Sequence, residues 1–445
     1  MVNFVFNPGT ENFKIILTNK FFVDKTKLIK QLNKRINTVD RFICVSRPRR
    51  FGKTVIADML VAYYSFSIEK TDIFNDKKIA KTDNWDKYLG ELNVIKLNMI
   101  DYFTNNSVKS GLSQIKNKIV TEVKQNIPDI NFTNEKNIVR IFEDIYKNTQ
   151  KKIVLIIDEW DIILRDKKNS YNKIKKYLKF LNQATKDKQY IALAYITGIL
   201  PIKRYGVHSS LDFNEYTMIS SLWMSKYIGF SQSEVKILCK KLIDNKKIDN
   251  SQNNNHKKRK LNKELNNKNE NDKKYKILSF DEELKHKNNK ISEKQTDNKM
   301  LNNTETVNFK NIKKWYNGYK LYDKTKKKIY KLYTPYSIVK ALNIGELSNY
   351  WNRTETYFAL SEYIELNILG LKEDIIRLRN GKRIKINIDT YQNDMTSFKN
   401  KDDILTMLVH LGYLNYDIRT KEVFIPNKEV LQEFISTTDS DIISR

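Results

Sequence analysis

An apolar run, Phe42-Ile43-Cys44-Val45, leads into Arg47-Pro48-Arg49-Arg50-Phe51-Gly52-Lys53-Thr54, and a helical segment, Val55-Ile56-Ala57-Asp58-Met59-Leu60, follows. No other stretch constrains the fold as much, because a strand, a tight loop ending Gly-Lys-Thr and a helix together make a phosphate-binding P-loop. In such a loop the backbone N–H groups and the helix N-terminus cradle phosphate oxygens. The lysine reaches the β/γ-phosphates and the threonine hydroxyl meets Mg2+. Arg49, Phe51, Gly52, Lys53 and Thr54 are therefore the candidate ATP-binding residues. The usual pattern, G-x-x-x-x-G-K-[ST], begins with glycine, and this chain has Arg47 there. A basic turn before an amphipathic helix also explains the tripeptide, so a second phosphate-site element has to arbitrate.

That element is Lys151-Lys152-Ile153-Val154-Leu155-Ile156-Ile157-Asp158-Glu159. Five consecutive apolar, mostly β-branched residues read as a strand buried on both faces, as a parallel α/β sheet requires. Acids directly at the C-terminal end of such a strand lie where open α/β sheets bind ligands. Asp158 would hold Mg2+ together with Thr54, and Glu159 would orient and deprotonate the attacking water. A third strand, Ile191-Ala192-Leu193-Ala194-Tyr195-Ile196-Thr197-Gly198, ends in a small polar residue. Between the two strands, Ile174, Tyr177, Leu178 and Leu181 follow the spacing of one helix face, which predicts a crossover helix. Thr197 would then stand beside Glu159 and sense the γ-phosphate; a strand-end threonine satisfied locally is the alternative.

With these residues in place the chain resembles the AAA-ATPase-like family, P-loop proteins of the extended AAA/STAND type. The resemblance rests on an ordered series: Phe22-Val23-Asp24-Lys25-Thr26, the Arg47–Thr54 loop, Ile157-Asp158-Glu159-Trp160-Asp161 and Ile196-Thr197-Gly198. It continues through Ile228-Gly229-Phe230-Ser231, Trp315-Tyr316-Asn317-Gly318-Tyr319, Tyr333-Thr334-Pro335-Tyr336-Ser337, Tyr350-Trp351 and Pro426-Asn427-Lys428-Glu429-Val430. Arginine at the first loop position is the family's normal state. Tyrosine usually stands where this chain has Trp160, and a proline often follows Asp161, where Ile162-Ile163 occur here. Many members continue into a restriction-endonuclease-like domain, whereas this sequence ends 15 residues after Val430. The resemblance thus implies an ATPase without that domain.

Two cysteines, Cys44 and Cys239, lie in apolar contexts far apart, which suggests a reducing compartment and no disulfide framework. The four histidines are scattered, which argues against a His/Cys metal site. No apolar run reaches the length of a membrane helix. Met1–Pro8 lacks a charged n-region with a long apolar core, so the expected location is intracellular, cytoplasmic or nuclear, and not secreted. The net charge is +29. Residues 245–310 hold 17 basic residues against 10 acids, so most of the excess lies elsewhere. A basic surface supplies sequence-independent affinity for phosphates, which points to nucleic acid or an acidic protein as partner. Lysine-rich codon usage is the alternative.

The fold class expected is α/β: a P-loop NTPase parallel sheet with helices on both faces, then a helical lid region and a winged-helix-like C-terminal module. Residues 1–37 read as an entry segment with Asp24 or Thr26 capping a helix, and 38–230 as the ATPase core. Residues 231–244 and 311–400 form the lid, opened by the capping box Ser231-Gln232-Ser233-Glu234. Residues 245–310 carry 16 Asn and no Gly or Pro and read as a disordered insertion. Within it, His256–Lys260 is either a nuclear localisation cluster or solvated linker, and Tyr275–Phe280 is its only apolar patch. Residues 401–445 read helix, hairpin, helix. Asn317-Gly318 between aromatics signals a turn with φ > 0.

These features point to an ATP-binding, Mg2+-dependent ATPase driving a conformational switch, with oligomerisation left open. Lys53 would bind the β/γ-phosphates and Glu159 activate water. The transition-state arginine would be Arg49 or Arg50 in the loop, or Arg204 beyond the third strand. A nucleotide-gated scaffold with little or no turnover is the rival reading. A nuclease in its own right is disfavoured, since no carboxylate–x–Lys constellation follows the tail hairpin.

Overall fold

The computed structural model of the chain describes residues 4–166, 169–202, 211–244, 305–351, 370–391, 398 and 400–443. Arg204, the basic cluster at 256–260, the apolar patch at 275–280 and nearly all of the 245–310 insertion lie outside these residues.

Five parallel strands form the central sheet: β1 (Phe42–Ser46), β2 (Asn93–Asn98), β3 (Ile153–Asp158), β4 (Ile191–Gly198) and β5 (Asn214–Tyr216), in the order β2-β3-β4-β1-β5. Every residue of β3 and β4 is buried, as the continuous apolar runs predict. Each valine, leucine or isoleucine side chain among them contributes about 2 kcal/mol when fully buried. Helices α1 (Glu11–Leu17), α2 (Lys27–Asn33), α3 (Lys53–Tyr64), α4 (Ile100–Phe103), α5 (Val108–Asn126), α6 (Ile138–Thr149), α7 (Ile162–Arg165) and α8 (Tyr171–Thr185) flank the sheet. Helix α5 opens on Ser107, whose hydroxyl accepts from Ser110 N–H, and α6 on Asn137, whose side chain accepts from Val139 N–H. Ile174, Tyr177 and Leu181 are buried on α8, the crossover helix expected from their spacing.

The N-terminal segment covers the β2 edge. Phe6 bridges Ile95, and the buried Glu122 carboxylate accepts from Val5 and Phe6 N–H at 2.5 and 2.9 Å. Thr26 stands at the N-cap of α2 but makes no side-chain cap. Asp24 instead accepts from Thr26 N–H and Oγ, and Thr26 Oγ accepts from Ile79 N–H. The capping box at Ser231–Glu234 forms reciprocally, with Ser231 N–H donating to Glu234 at 2.7 Å and Glu234 N–H to Ser231 Oγ at 3.3 Å. Helix 232–244 follows.

Two small sheets complete the described chain. The first is β6 (Phe230–Ser231), β7 (Tyr319–Asp323) and β8 (Lys328–Tyr333), in the order β6-β8-β7. The second is β9 (Ile384–Lys385), β10 (Asn415–Asp417) and β11 (Glu422–Phe424), in the order β10-β11-β9. The second sheet lies between helices Lys401–Leu411 and Lys428–Ile443 in sequence, apart from β9, which joins from upstream. Among the described residues no helix is long and apolar enough to cross a membrane.

The turn expected at Asn317-Gly318 is replaced by a direct passage from the helix Phe309–Tyr316 into β7. Asn317 has φ −81° in extended backbone, and Gly318 is not among the glycines with positive φ. Glycine is needed there for close approach, since a Cβ would lie 1.6 Å from the Pro426 carbonyl oxygen and 2.3 Å from its carbon. Gly318→Ala should therefore destabilise the protein by at least about 3 kcal/mol, because the obstruction is backbone that cannot rotate away. A urea midpoint equal to wild type would contradict this contact.

The neighbouring Pro426–Val430 turn carries a second built-in tension. Asn427 Oδ1 accepts from Val430 N–H at 2.9 Å, and the buried Glu429 carboxylate accepts from Tyr350 N–H at 2.9 Å. Burial pushes the Glu429 pKa up from 4.5 to about 7, against the opposing pull of Ser337, the Tyr350 N–H and Arg50. Because the folded value exceeds the unfolded one, this group's stabilisation is full below pH 4.5 and is lost as pH rises through about 7. Relative to Glu429→Gln, wild type should lose about 3 kcal/mol of stability over that window and run parallel above it. Unfolding of both proteins across pH 5–8 measures this, and a constant difference would refute it.

Candidate functional site

The loop between β1 and α3 is held from behind by the residue that stands in the glycine position. Arg47 is fully buried. Its guanidinium donates to Ser46 O at 2.9 Å, to Tyr216 O at 3.0 Å and to the Ser221 hydroxyl. Burial lowers its pKa from 12.5 to about 9, so it is still charged at neutral pH. Arg47 thus ties the loop to β5 and the turn after it. The loop's other non-phosphate residues dock onto the C-terminal half of the chain. A Cβ on Gly412 would lie 2.8 Å from the Pro48 ring, Phe51 packs edge-on against Tyr319 at 5.1 Å, and Arg50 lies over the Tyr336 ring at 4.9 Å. Gly52 caps α3 with φ 85°, a left-handed conformation that favours glycine. Arg50 shares that region, at φ 71°.

Lys53 and Thr54, the first residues of α3, face the end of β3. Thr54 Oγ donates to Asp158 Oδ2 at 2.6 Å. Lys53 Nζ donates to Pro48 O at 3.3 Å and lies 3.5 Å from Glu159 Oε1. Glu159 is a non-glycine residue with φ 53°, and its N–H donates to Asp158 Oδ1 at 3.0 Å. Such backbone strain at a strand end is characteristic of functional sites. Burial raises the Asp158 pKa, partly offset by the Thr54 hydrogen bond. Burial also opposes ionisation of Glu159, but Lys53, Arg165 and Arg49 together overcome it and hold its carboxyl below the ordinary range. Glu159 is thus ionised at neutral pH. Thr197 is the register partner of Asp158, fully buried, and its hydroxyl has no hydrogen-bond partner.

The sequence-derived residues therefore fall into two groups. Lys53, Thr54, Asp158 and Glu159 converge, with Thr197 on the adjacent strand and Arg49 close enough to act on Glu159. Arg50 and Phe51 turn from this cluster toward Tyr336 and Tyr319 and line the apolar cavity described below.

Arg165 joins the site from α7 without a motif to mark it. Its Nη2 donates to Glu159 Oε2 at 2.5 Å and its Nε lies 3.3 Å from Asp161. The i, i+4 spacing of Asp161 and Arg165 was the signal available. Asp161 itself is fully buried, and Oδ2 accepts from Ile199 and Leu200 N–H at 3.0 and 2.8 Å. It joins β3 to the turn after β4. Gly198 lies under this pair, since a Cβ there would stand 2.6 Å from both Asp161 Oδ1 and the Trp160 ring.

Two cavities flank the loop. An apolar one of about 480 Å3 is lined by Phe22, Val23, Arg50, Gly52, Tyr227 and Pro335, among others. A polar one of about 560 Å3 is lined by Thr54, Asp58, Lys96, Asn98, Asp101 and Asp158. No local pattern marks either cavity, because distant segments build both.

The parallel order with the loop at β1 and the acids at the end of β3 is the arrangement of a P-loop protein. Residues 8–208 match the family model described as "Predicted AAA-ATPase". This segment is similar to the AAA-ATPase-like family. Two solved structures are similar to the chain. One is the Walker-type ATPase of Pyrococcus abyssi, with 10% identity and a TM-score of 0.42, covering 92% of this chain and 94% of that one. The other is the Aeropyrum pernix ORC2 protein in ADPNP–ADP complexes, with 11% identity and a TM-score of 0.32, covering 95% and 98%. Neither likeness bears on function. Comparison with curated proteins gave no match. Within the AAA-ATPase-like segment lie Lys53, Thr54, Asp158, Glu159, Arg165 and Thr197.

Proposed function

We propose that the chain binds ATP with Mg2+ and hydrolyses it to drive a conformational switch. The observation that carries this reading is the convergence of Lys53, Thr54, Asp158 and Glu159 beside a glycine-capped helix N-terminus. The apolar cavity at Phe22, Gly52 and Tyr227 is suited to a nucleobase. Lys53 leaves Pro48 O and Glu159 to bind the β/γ-phosphates, while the α3 N-terminus cradles them.

Mg2+ suits the oxygen donors present. Thr54 and Asp158 already point at each other, and Mg2+ commonly takes one or two protein oxygens with phosphate and water completing its shell. The absence of a three-residue His/Cys/Asp/Glu cluster among the described residues is compatible with that. Bound there, Mg2+ would neutralise charge on the phosphates. Glu159 accepts the proton of the attacking water, Arg49 offsets charge on the transferred group, and Thr197 contacts the γ-phosphate. Arg165 is a positioning residue that keeps Glu159 ionised and oriented.

The C-terminal module, winged-helix-like in its order of elements, serves here as a lid together with residues 311–400: Gly412 of the module abuts Pro48, and Tyr319 and Tyr336 of the lid region contact Phe51 and Arg50. The domain limits at residues 38–230 and 401–445 go with this reading. The basic surface is read as serving a polyanion partner, nucleic acid or an acidic protein.

A specific observation favours the rival reading, a nucleotide-gated scaffold: Glu159 is ion-paired with both Lys53 and Arg165. Turnover decides between them. Purified protein with MgATP should release phosphate well above background, and release at the background rate would leave the scaffold.

A further inference from the structure

A third cavity, of about 590 Å3, lies across Lys25 and Tyr227 from the apolar one, both residues lining each. Six lysines and two carboxylates line it. Both carboxylates are already engaged. Asp24 accepts from Thr26 N–H and from Lys78 N–H at 2.6 Å, and Glu234 is paired with the buried Lys25 at 2.7 Å and capped by Ser231. The other five lysines, Lys27, Lys78, Lys226, Lys328 and Lys331, are exposed, and among the described residues none has a carboxylate at ion-pair distance. Four separate chain segments supply them. Holding five like charges around one concavity costs free energy unless an anion shares it.

We infer that this groove holds the backbone of single-stranded nucleic acid, with Lys27, Lys78, Lys226, Lys328 and Lys331 meeting successive phosphates. Lysine amines are point charges that ask for no fixed bidentate geometry, which suits sequence-tolerant phosphate contact. Half-buried Tyr330, on the groove wall, offers an aromatic face to a base, and Ser231 and Ser233 offer hydroxyls. Because Lys25 and Tyr227 also line the apolar cavity, an occupied groove touches the same residues as a bound nucleotide. This assignment rests on the polyanion partner proposed above but not on ATP turnover.

The test is fluorescence anisotropy of a labelled oligo(dT) with the full chain. Three proteins are compared: wild type, Lys78→Glu/Lys328→Glu/Lys331→Glu, and a control of equal charge change, Lys173→Glu/Lys176→Glu/Lys179→Glu, on exposed positions of α8. The groove variant should lose at least tenfold in affinity. Its salt dependence should fall by about 2 in log–log slope, since each single-strand phosphate contact contributes about 0.7. The control should lose much less, and both variants should melt with wild type. Equal losses in the two variants would overturn the groove while leaving a polyanion partner in place. Absence of oligo(dT) binding at low salt would overturn the groove and the nucleic-acid partner together. Tighter binding of polyglutamate than of oligo(dT) would overturn the nucleic-acid assignment in favour of an acidic protein.

Discussion

Glu159→Gln is expected to keep ATP binding and to lower turnover by at least about a hundredfold, the usual worth of a positioned general base. The carboxylate stands at the end of β3 next to Asp158, and Lys53, Arg165 and Arg49 together keep it charged despite burial. An amide occupies the same space but accepts no proton. Binding survives because Lys53, Thr54 and Asp158 are unchanged, and releasing Lys53 from its 3.5 Å ion pair leaves it freer to meet phosphate. Arg165 retains Asp161 as partner, so α7 keeps an anchor. Single-turnover phosphate release together with equilibrium nucleotide binding separates the two effects. Wild-type turnover in the variant would remove Glu159 from the reaction. A parallel loss of binding and turnover would make it a structural residue.

The sheet was legible because its strands announce themselves locally. Phe42–Val45, Ile153–Ile157 and Ile191–Ile196 are unbroken apolar runs, and β1, β3 and β4 stand there. Strand β5 was not legible, since Asn214-Glu215-Tyr216 has no apolar run and pairs with β1 along three residues only. The site divides in the same way. Lys53, Thr54, Asp158 and Glu159 carry their spacing in the sequence, whereas the purpose of Arg47 depends on Tyr216 and Ser221, about 170 positions away. Arg49 and Arg50 are adjacent and chemically alike, and only the folded chain sends one toward Glu159 and the other onto Tyr336. Asn317-Gly318 has the sequence of a turn, yet the constraint on Gly318 comes from Pro426, more than a hundred residues downstream. The composition of the loop becomes intelligible once its contacts are known. Arg47, Pro48, Arg50 and Phe51 hold the loop to other parts of the fold, leaving Gly52, Lys53 and Thr54 for phosphate.

The other large effect expected is the loss of ATP binding in Lys53→Ala. Lys53 is buried, and among the described residues its amine reaches Pro48 O and Glu159, a carbonyl at 3.3 Å and a carboxylate at 3.5 Å. Neither contact is needed to hold α3, which Gly52 caps and which packs on the sheet and α1. Removing the amine therefore leaves the fold in place while withdrawing a buried cation beside the loop. It also leaves Glu159 with Arg165 and Arg49 for neighbours. A charge-assisted contact to phosphate in a buried site is worth several kcal/mol, enough to weaken binding by two or more orders of magnitude. The measurement is equilibrium titration of ATP, with and without Mg2+, into wild type and Lys53→Ala of matched melting temperature. Micromolar binding that strengthens with Mg2+ in wild type and disappears in Lys53→Ala is the predicted result. Equal ATP affinity in the two proteins would contradict a phosphate site at this loop.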